Sequence, residues 1–127
     1  MTEPRRTVLV VEDDRDINQL VGEYVQEAGF RYLSSPDGLS VFEKARSGKP
    51  SLILLDLMLP DLNGFEVCRR LKEEPSTQGI PVVFLTALDQ KKFRDRARDC
   101  GAVDYLLKPF EPEVLIDTIH RHASPQA

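Results

Sequence analysis

The sequence predicts one α/β domain built on a doubly wound, five-stranded parallel sheet in the order 2-1-3-4-5, flanked by five helices. Two observations carry this prediction. Short, continuously apolar runs recur along the chain, and each is followed by a segment whose apolar residues repeat at helical spacing. Strands without polar alternation are buried on both faces, so an alternating strand-helix chain implies a parallel sheet with helices above and below. Right-handed crossovers leave few strand orders, and 2-1-3-4-5 puts its ligand crevice beyond the carboxyl ends of the strands. A length of 127 residues suits a single domain, with a core from about residue 7 to 122 and short tails at both ends.

The first strand is Val8-Leu9-Val10-Val11, which stops abruptly at Glu12-Asp13-Asp14. Ile17, Leu20, Val21, Tyr24, Val25 and Ala28 then mark an amphipathic helix that Asp13 or Asp14 starts and Gly29 ends. Residues 30–34 form the second strand. After Pro36-Asp37-Gly38, Leu39, Phe42 and Ala45 indicate a short helix closed by Gly48. Leu52-Ile53-Leu54-Leu55 is the third strand and runs into Asp56. A loop rich in turn residues (Pro60, Asp61, Asn63, Gly64) leads to a helix with Phe65, Cys68 and Leu71 on one face. Val82-Val83-Phe84-Leu85 is the fourth strand and ends in Thr86. A charged helix over residues 89–100 turns Phe93 and Ala97 inward and closes at Gly101. The fifth strand, residues 103–107, ends at Lys108-Pro109, and the last helix starts at Pro112 with Val114, Leu115, Thr118 and Ile119 inward.

Composition narrows the function classes. A formal charge of -4 argues against direct, sequence-independent binding of nucleic acid. No apolar run approaches the length of a membrane span or a signal peptide, so a cytoplasmic protein without membrane contact is expected. Cys68 and Cys100 have no metal-site spacing and read as small apolar core residues. His120 and His122, two apart, do not share a helix face and do not suggest a ligand pair.

Four of the five strands end in chemically capable residues: Glu12 and Asp13, then Asp56, Thr86 and Lys108. In the predicted order these ends border one crevice. Carboxylates gathered there repel, and a cation or a proton must relieve them. Oxygen ligands with room for water suit Mg2+ better than Ca2+. A hard cation and the Lys108 ammonium are positioned to neutralise an incoming phosphoryl group while a carboxylate attacks in line. Asp56, central and directly after a buried strand, is the candidate nucleophile; Glu12 and Asp13 are the candidate metal ligands.

Val10-Val11-Glu12-Asp13-Asp14, Leu54 through Gly64, Phe84-Leu85-Thr86-Ala87 and Asp104 through Phe110 resemble the signature blocks of response-regulator receiver domains. The blocks stand in the family's order, with thirty residues from Asp56 to Thr86 and twenty-two more to Lys108. The resemblance implies a flavodoxin-like signalling switch, not a turnover enzyme, with at most slow autodephosphorylation. It implies that Asp56 accepts a phosphoryl group from a sensor histidine kinase or phosphotransfer protein. It further implies Mg2+, or Mn2+ in its place, held by Glu12, Asp13, Asp56 and the backbone carbonyl of Met58. Thr86 would meet the phosphoryl oxygen, Lys108 would pair with another, and Tyr105 would be the switch aromatic. Lys108-Pro109 matches a peptide bond usually cis in the family. Output would run through helix 4, strand 5 and helix 5 to a downstream effector protein or domain, or to a second copy in a homodimer.

Other readings stand beside this one. Asp13 and Asp14 taken alone read as helix caps, Thr86 as a strand-end hydroxyl, Lys108 as a turn residue and Tyr105 as a packing aromatic. Lys91, Lys92, Arg94, Arg96 and Arg98 read as a solvated face with local ion pairs or as a docking surface for an acidic partner or second receiver. A Mg2+-dependent aspartyl-phosphate phosphohydrolase would want a second Asp where Met58 stands. A flavodoxin-like cofactor binder would want a Ser/Thr/Gly-rich phosphate loop where Glu12-Asp13-Asp14 stands, and a receiver-shaped interaction module without phosphorylation is the third rival. Val103-Asp104 and an Arg-poor last helix differ from the receivers of winged-helix transcription factors. Ser124-Pro125-Gln126 reads as a shortened linker or a terminus.

Overall fold

The computed structural model describes residues 6–123; the tails read above, residues 1–5 and 124–127, lie outside the described residues. Ten elements alternate: β1 (Thr7–Val11), α1 (Arg15–Glu27), β2 (Arg31–Ser35), α2 (Leu39–Gly48), β3 (Leu52–Asp56), α3 (Gly64–Glu73), β4 (Val82–Thr86), α4 (Lys91–Asp99), β5 (Asp104–Leu107) and α5 (Pro112–Ala123). The strands form one parallel sheet in the order β2-β1-β3-β4-β5. Both the fold class and the strand order read from the sequence are found.

Side chains alternate across each strand and so build two cores from the same apolar runs. Leu9, Val11, Ile53, Leu55, Val82 and Phe84 pack with α2, α3 and Ala97 of α4 on one face. Val8, Val10, Leu52, Leu54, Val83 and Leu85 pack with α1 and α5 on the other. Most of these side chains are fully buried, each worth about 1.5–3 kcal/mol relative to exposure.

Several inward assignments are corrected. Leu20, Leu39 and Val114 are exposed. The buried line of α1 is Asn18, Val21, Gly22 and Val25, and that of α5 is Leu115, Thr118, Ile119 and Ala123, which leaves Leu20 and Val114 off the packed face. Leu39 is the first residue of α2, at the solvent end of the helix. Val103 precedes β5 and is exposed, although its N–H still bonds the Val82 carbonyl at 2.9 Å. Asp14, not Asp13, caps α1, accepting the N–H groups of Asp16 and Ile17 at 3.0 and 3.1 Å. Position 22 tolerates no side chain, because a Cβ there would lie 2.3 Å from the Tyr32 ring.

Leu54 is fully buried in the central strand against α1 and α5. Leu54→Ala is expected to cost about 2–5 kcal/mol, measured by urea denaturation; a loss within error of zero would contradict the two-layer packing.

Candidate functional site

Register brings the strand ends together. Val11 pairs with Leu55, so the next residue, Glu12, comes level with Asp56. Asp56 itself pairs with Leu85 and Thr86 with Leu107, which puts Thr86 one step and Lys108 two steps further on. The residues singled out at four strand ends thus share one edge of the sheet.

Glu12, Asp13 and Asp56 each offer a carboxylate oxygen within 4.8 Å of the others, an arrangement able to hold a cation. Glu12 is 5% and Asp56 8% exposed, whereas Asp13 faces solvent. Partial desolvation first, then the hydrogen-bonding neighbour Glu12, pushes the Asp13 carboxyl up from its ordinary range. The Lys108 ammonium bonds Glu12 Oε1 and lies 3.7 Å from Asp56 Oδ2. An oxygen-rich, partly open pocket with one lysine at its wall fits a hard divalent cation that keeps water.

Neighbouring groups fix these carboxylates. Asn18, buried in α1, donates its amide to the carbonyl of Glu12 at 2.9 Å and to those of Val10 and Ser35 at 3.4 and 3.3 Å, tying the end of β1 to β2. Asp56 Oδ1 accepts the Met58 N–H at 3.2 Å. Gly64 packs directly under the site: a Cβ there would stand 2.7 Å from the Asp56 carbonyl oxygen and 2.9 Å from Leu57 Cα. Asn63 caps α3 through Glu66 N–H at 2.9 Å, and its bridge to Met58 folds the intervening loop back.

Thr86 is buried, and its Oγ1 accepts the Leu88 N–H at 3.2 Å. The Tyr105 hydroxyl donates to the Leu88 carbonyl, while its ring lies 6.3 Å from Phe84 and under the Arg94 guanidinium at 5.4 Å. Both side chains therefore grip the same residue of the loop leading into α4. The Lys108-Pro109 peptide is cis, as the resemblance implied. The basic side chains of α4 make local pairs: Lys91 and Arg98 with Asp95 at 2.6 and 3.2 Å, and Arg94 with Asp89 at 2.6 Å. Met58 is exposed beside the pocket.

Sequence reading missed Asn18, whose signal was a polar residue on the inward line of α1, and it took Asp61 only as a turn residue. Asp61 in fact accepts the N–H groups of Gly38 and Leu39 at 2.8 and 2.9 Å, capping α2 from another loop. Only tertiary structure reveals that partner.

Fold and site define a class, a doubly wound α/β signalling domain with an acidic pocket at the carboxyl edge of its sheet. The response regulator receiver domain model matches residues 8–120, and the chain belongs to that family. The phosphate regulon transcriptional regulatory protein PhoB of Escherichia coli (strain K12) is 39% identical over 125 residues, covering 96% of this chain and 55% of that protein. The chain thus spans about half the length of the curated relatives it matches. The BeF3-activated N-terminal receiver domain of RstA from Klebsiella pneumoniae superposes with a TM-score of 0.86 at 33% identity, covering 94% of this chain and 100% of that one. The receiver domain of the sensor histidine kinase PA1611 from Pseudomonas aeruginosa PAO1, with a magnesium ion coordinated in its active-site cleft, superposes with a TM-score of 0.87 at 25% identity, covering 96% and 100%. The match to PhoB extends over nearly the whole chain despite the Val103-Asp104 and last-helix differences. Among the described residues no helix is long and apolar enough to cross a membrane.

The Gly38 N–H first, then those of Leu39 and Leu62, hold the Asp61 carboxyl below its usual range against the opposing effect of desolvation. A carboxyl with a lowered folded-state pKa stabilises the fold above its unfolded value and loses that contribution as pH falls through the folded one. The stability advantage of wild type over Asp61→Asn should therefore be full at about pH 5 and shrink toward about pH 3, read from urea midpoints. An equal gap at both would rule out this role.

Proposed function

We propose that this domain is a phosphorylation-dependent signalling switch whose phosphoacceptor is Asp56. The observation that carries the proposal is the meeting of Glu12, Asp13 and Asp56 within 4.8 Å, with Lys108 bonded to Glu12 and reaching toward Asp56. An Asp56 oxygen attacks phosphorus in line, the bond from phosphorus to a histidine nitrogen of the kinase or phosphotransfer protein breaks, and the electron pair leaves with that nitrogen, which takes a proton. Glu12, Asp13, Asp56 and the Met58 carbonyl would hold a magnesium ion, or manganese in its place, which would neutralise charge on the phosphoryl oxygens. Lys108 exchanges its carboxylate partner for a phosphoryl oxygen, and the Thr86 hydroxyl, free to donate, turns toward another.

The new phosphate adds ~1.5 to 2 negative charges and favours the conformer in which Thr86 is drawn to it. Leu88 is held by both Thr86 and Tyr105, so this shift reaches α4, β5 and α5. That face is the readout for an effector protein or domain, or for a second copy of the chain. The domain acts in the cytoplasm and does not itself touch nucleic acid or membrane. Its acceptor site releases phosphate slowly rather than turning over.

Intact mass after incubation with acetyl phosphate and Mg2+ tests the acceptor chemistry. One phosphoryl group is expected on wild type alone, and none on Asp56→Asn or on wild type in EDTA. Absence of any addition, repeated with a panel of histidine kinases, would leave a receiver-shaped docking module as the better account. Met58 and the half-buried Leu88 flank the acceptor with apolar side chains and limit attack by water. Met58→Ala and Leu88→Ala should each lose the label several-fold faster than wild type; equal decay in all three would sink this role.

A further inference from the structure

Cys68 and Cys100, thirty-two residues apart, meet where α3 packs against the end of α4. Cys68 is fully buried on α3. Its sulfur donates to the Cys100 carbonyl oxygen at 3.3 Å, and the Cys100 sulfur donates to the Ala97 carbonyl oxygen at 3.2 Å. Cys100 caps the end of α4, is only half-buried, and opens onto a surface cleft that it shares with Asn63, Phe65, Glu66, Arg69, Arg96 and Asp99. Both thiols are free. Lys72 runs between the two helices, bonding the carbonyls of Gln78 and Ile80 at 3.2 and 2.6 Å and passing under Gly101. Two cations, Arg96 and Lys72, thus flank a thiol pair of which one member meets solvent.

We propose that Cys100 and Cys68 form a peroxide-sensitive pair, in which Cys100 is oxidised first and Cys68 closes an intramolecular disulfide that fastens α4 to α3. This is a second input to the domain, independent of phosphoryl transfer to Asp56. Reactive thiols of this kind are accessible, electropositive and poised beside a resolving cysteine. The Cys68 thiol, then the backbone N–H groups of Ala102 and Cys100 and the Arg96 charge, draw the Cys100 thiol down from its ordinary range despite desolvation. Cys68 beside it is pushed up, first by its neighbour Cys100 and then by burial, so of the two Cys100 is the readier to ionise.

The Cys100 thiolate attacks one oxygen of a hydroperoxide. The oxygen-oxygen bond breaks, the sulfur is oxidised by two electrons to the sulfenic acid, and the departing oxygen takes a proton to become water or an alcohol. The Cys68 sulfur then attacks the sulfenic sulfur. The sulfur-sulfur bond forms as the sulfur-oxygen bond breaks, and hydroxide leaves as water with the Cys68 proton. With hydrogen peroxide, two thiols and one peroxide give one disulfide and two waters. A thiol reductant reverses the step.

The test treats reduced, folded protein with a slight molar excess of hydrogen peroxide and follows intact mass, denatured thiol count and the peptide map. Wild type is expected to lose two hydrogens, both titratable thiols and monomer-to-dimer ambiguity at once, yielding one intramolecular Cys68-Cys100 peptide. Cys68→Ser should stop at a sulfenic acid on Cys100 that a dimedone probe traps. Cys100→Ser should react at least several-fold more slowly. Amide exchange over residues 91–100 should slow in the oxidised form. Two surviving thiols, oxidation of Cys100 without the cross-link, a disulfide found only between chains, or unaltered exchange in α4 would overturn the proposal. Because the wild-type peptide map needs no variant, a substitution that fails to fold leaves the result decisive.

Discussion

Three carboxylates lie within 4.8 Å of one another at the end of a buried parallel sheet, and the rest of the domain is arranged around the charge this creates. Glu12 and Asp56 are almost fully shielded from water, so their charges are poorly screened. Lys108 sets a positive charge against both, bonding Glu12 and lying 3.7 Å from Asp56 Oδ2. Asp13 remains uncompensated and its carboxyl is displaced upward. The pocket is stable enough to fold but holds an unmet demand for positive charge. Rigidity keeps it from relaxing: Asn18 pins the backbone beneath Glu12, and Gly64 lets α3 press against the Asp56 carbonyl.

That rigidity ends at the fourth strand. Thr86 and Tyr105 hold Leu88 by its N–H and its carbonyl respectively, and Leu88 leads into α4. A single residue thus receives both the hydroxyl nearest the pocket and the aromatic nearest the outer face. Displacing Thr86 breaks one of two hydrogen bonds on the same peptide segment, which gives the loop a discrete alternative and not a continuous adjustment. Arg94 over the Tyr105 ring extends this chain of contacts onto the helix itself.

How legible this was in the sequence depended on the range of the contact. The strands were read correctly because a parallel sheet buried on both faces writes itself as unbroken apolar runs such as Leu52-Ile53-Leu54-Leu55. Asp56, Thr86 and Lys108 were visible because each interrupts such a run at the same end. Helix margins were harder. Leu20 and Val114 are apolar and near the packed stripe, but which side of the stripe is covered depends on the neighbour, here Tyr32 filling the space beside Gly22. The cysteines were read correctly as core residues, but their pairing and the capping role of Asp61 could not be read, since an Asp in a turn and two cysteines thirty-two residues apart meet those partners only when α2 and α4 come to them.

The fourth helix is where these threads join. Among its residues only Ala97 is fully buried, with Phe93 half-covered, so it contributes little to either core and is held chiefly at its ends. Elements with few buried apolar contacts occupy the low-stability end of a domain and are the ones able to move without unfolding it. At its start α4 follows Leu88 and the carboxylate pocket; at its finish it rests on Cys68 and Lys72 through Cys100 and Gly101. The charge proposed to arrive at one end and the covalent tie proposed at the other would act on the same weakly packed segment. Its exposed ion pairs are worth only about 0–1 kcal/mol each and do not oppose either influence strongly. Sparse packing along the helix and specific contacts at both termini therefore make α4 the part of the fold whose position the two proposed chemistries would set.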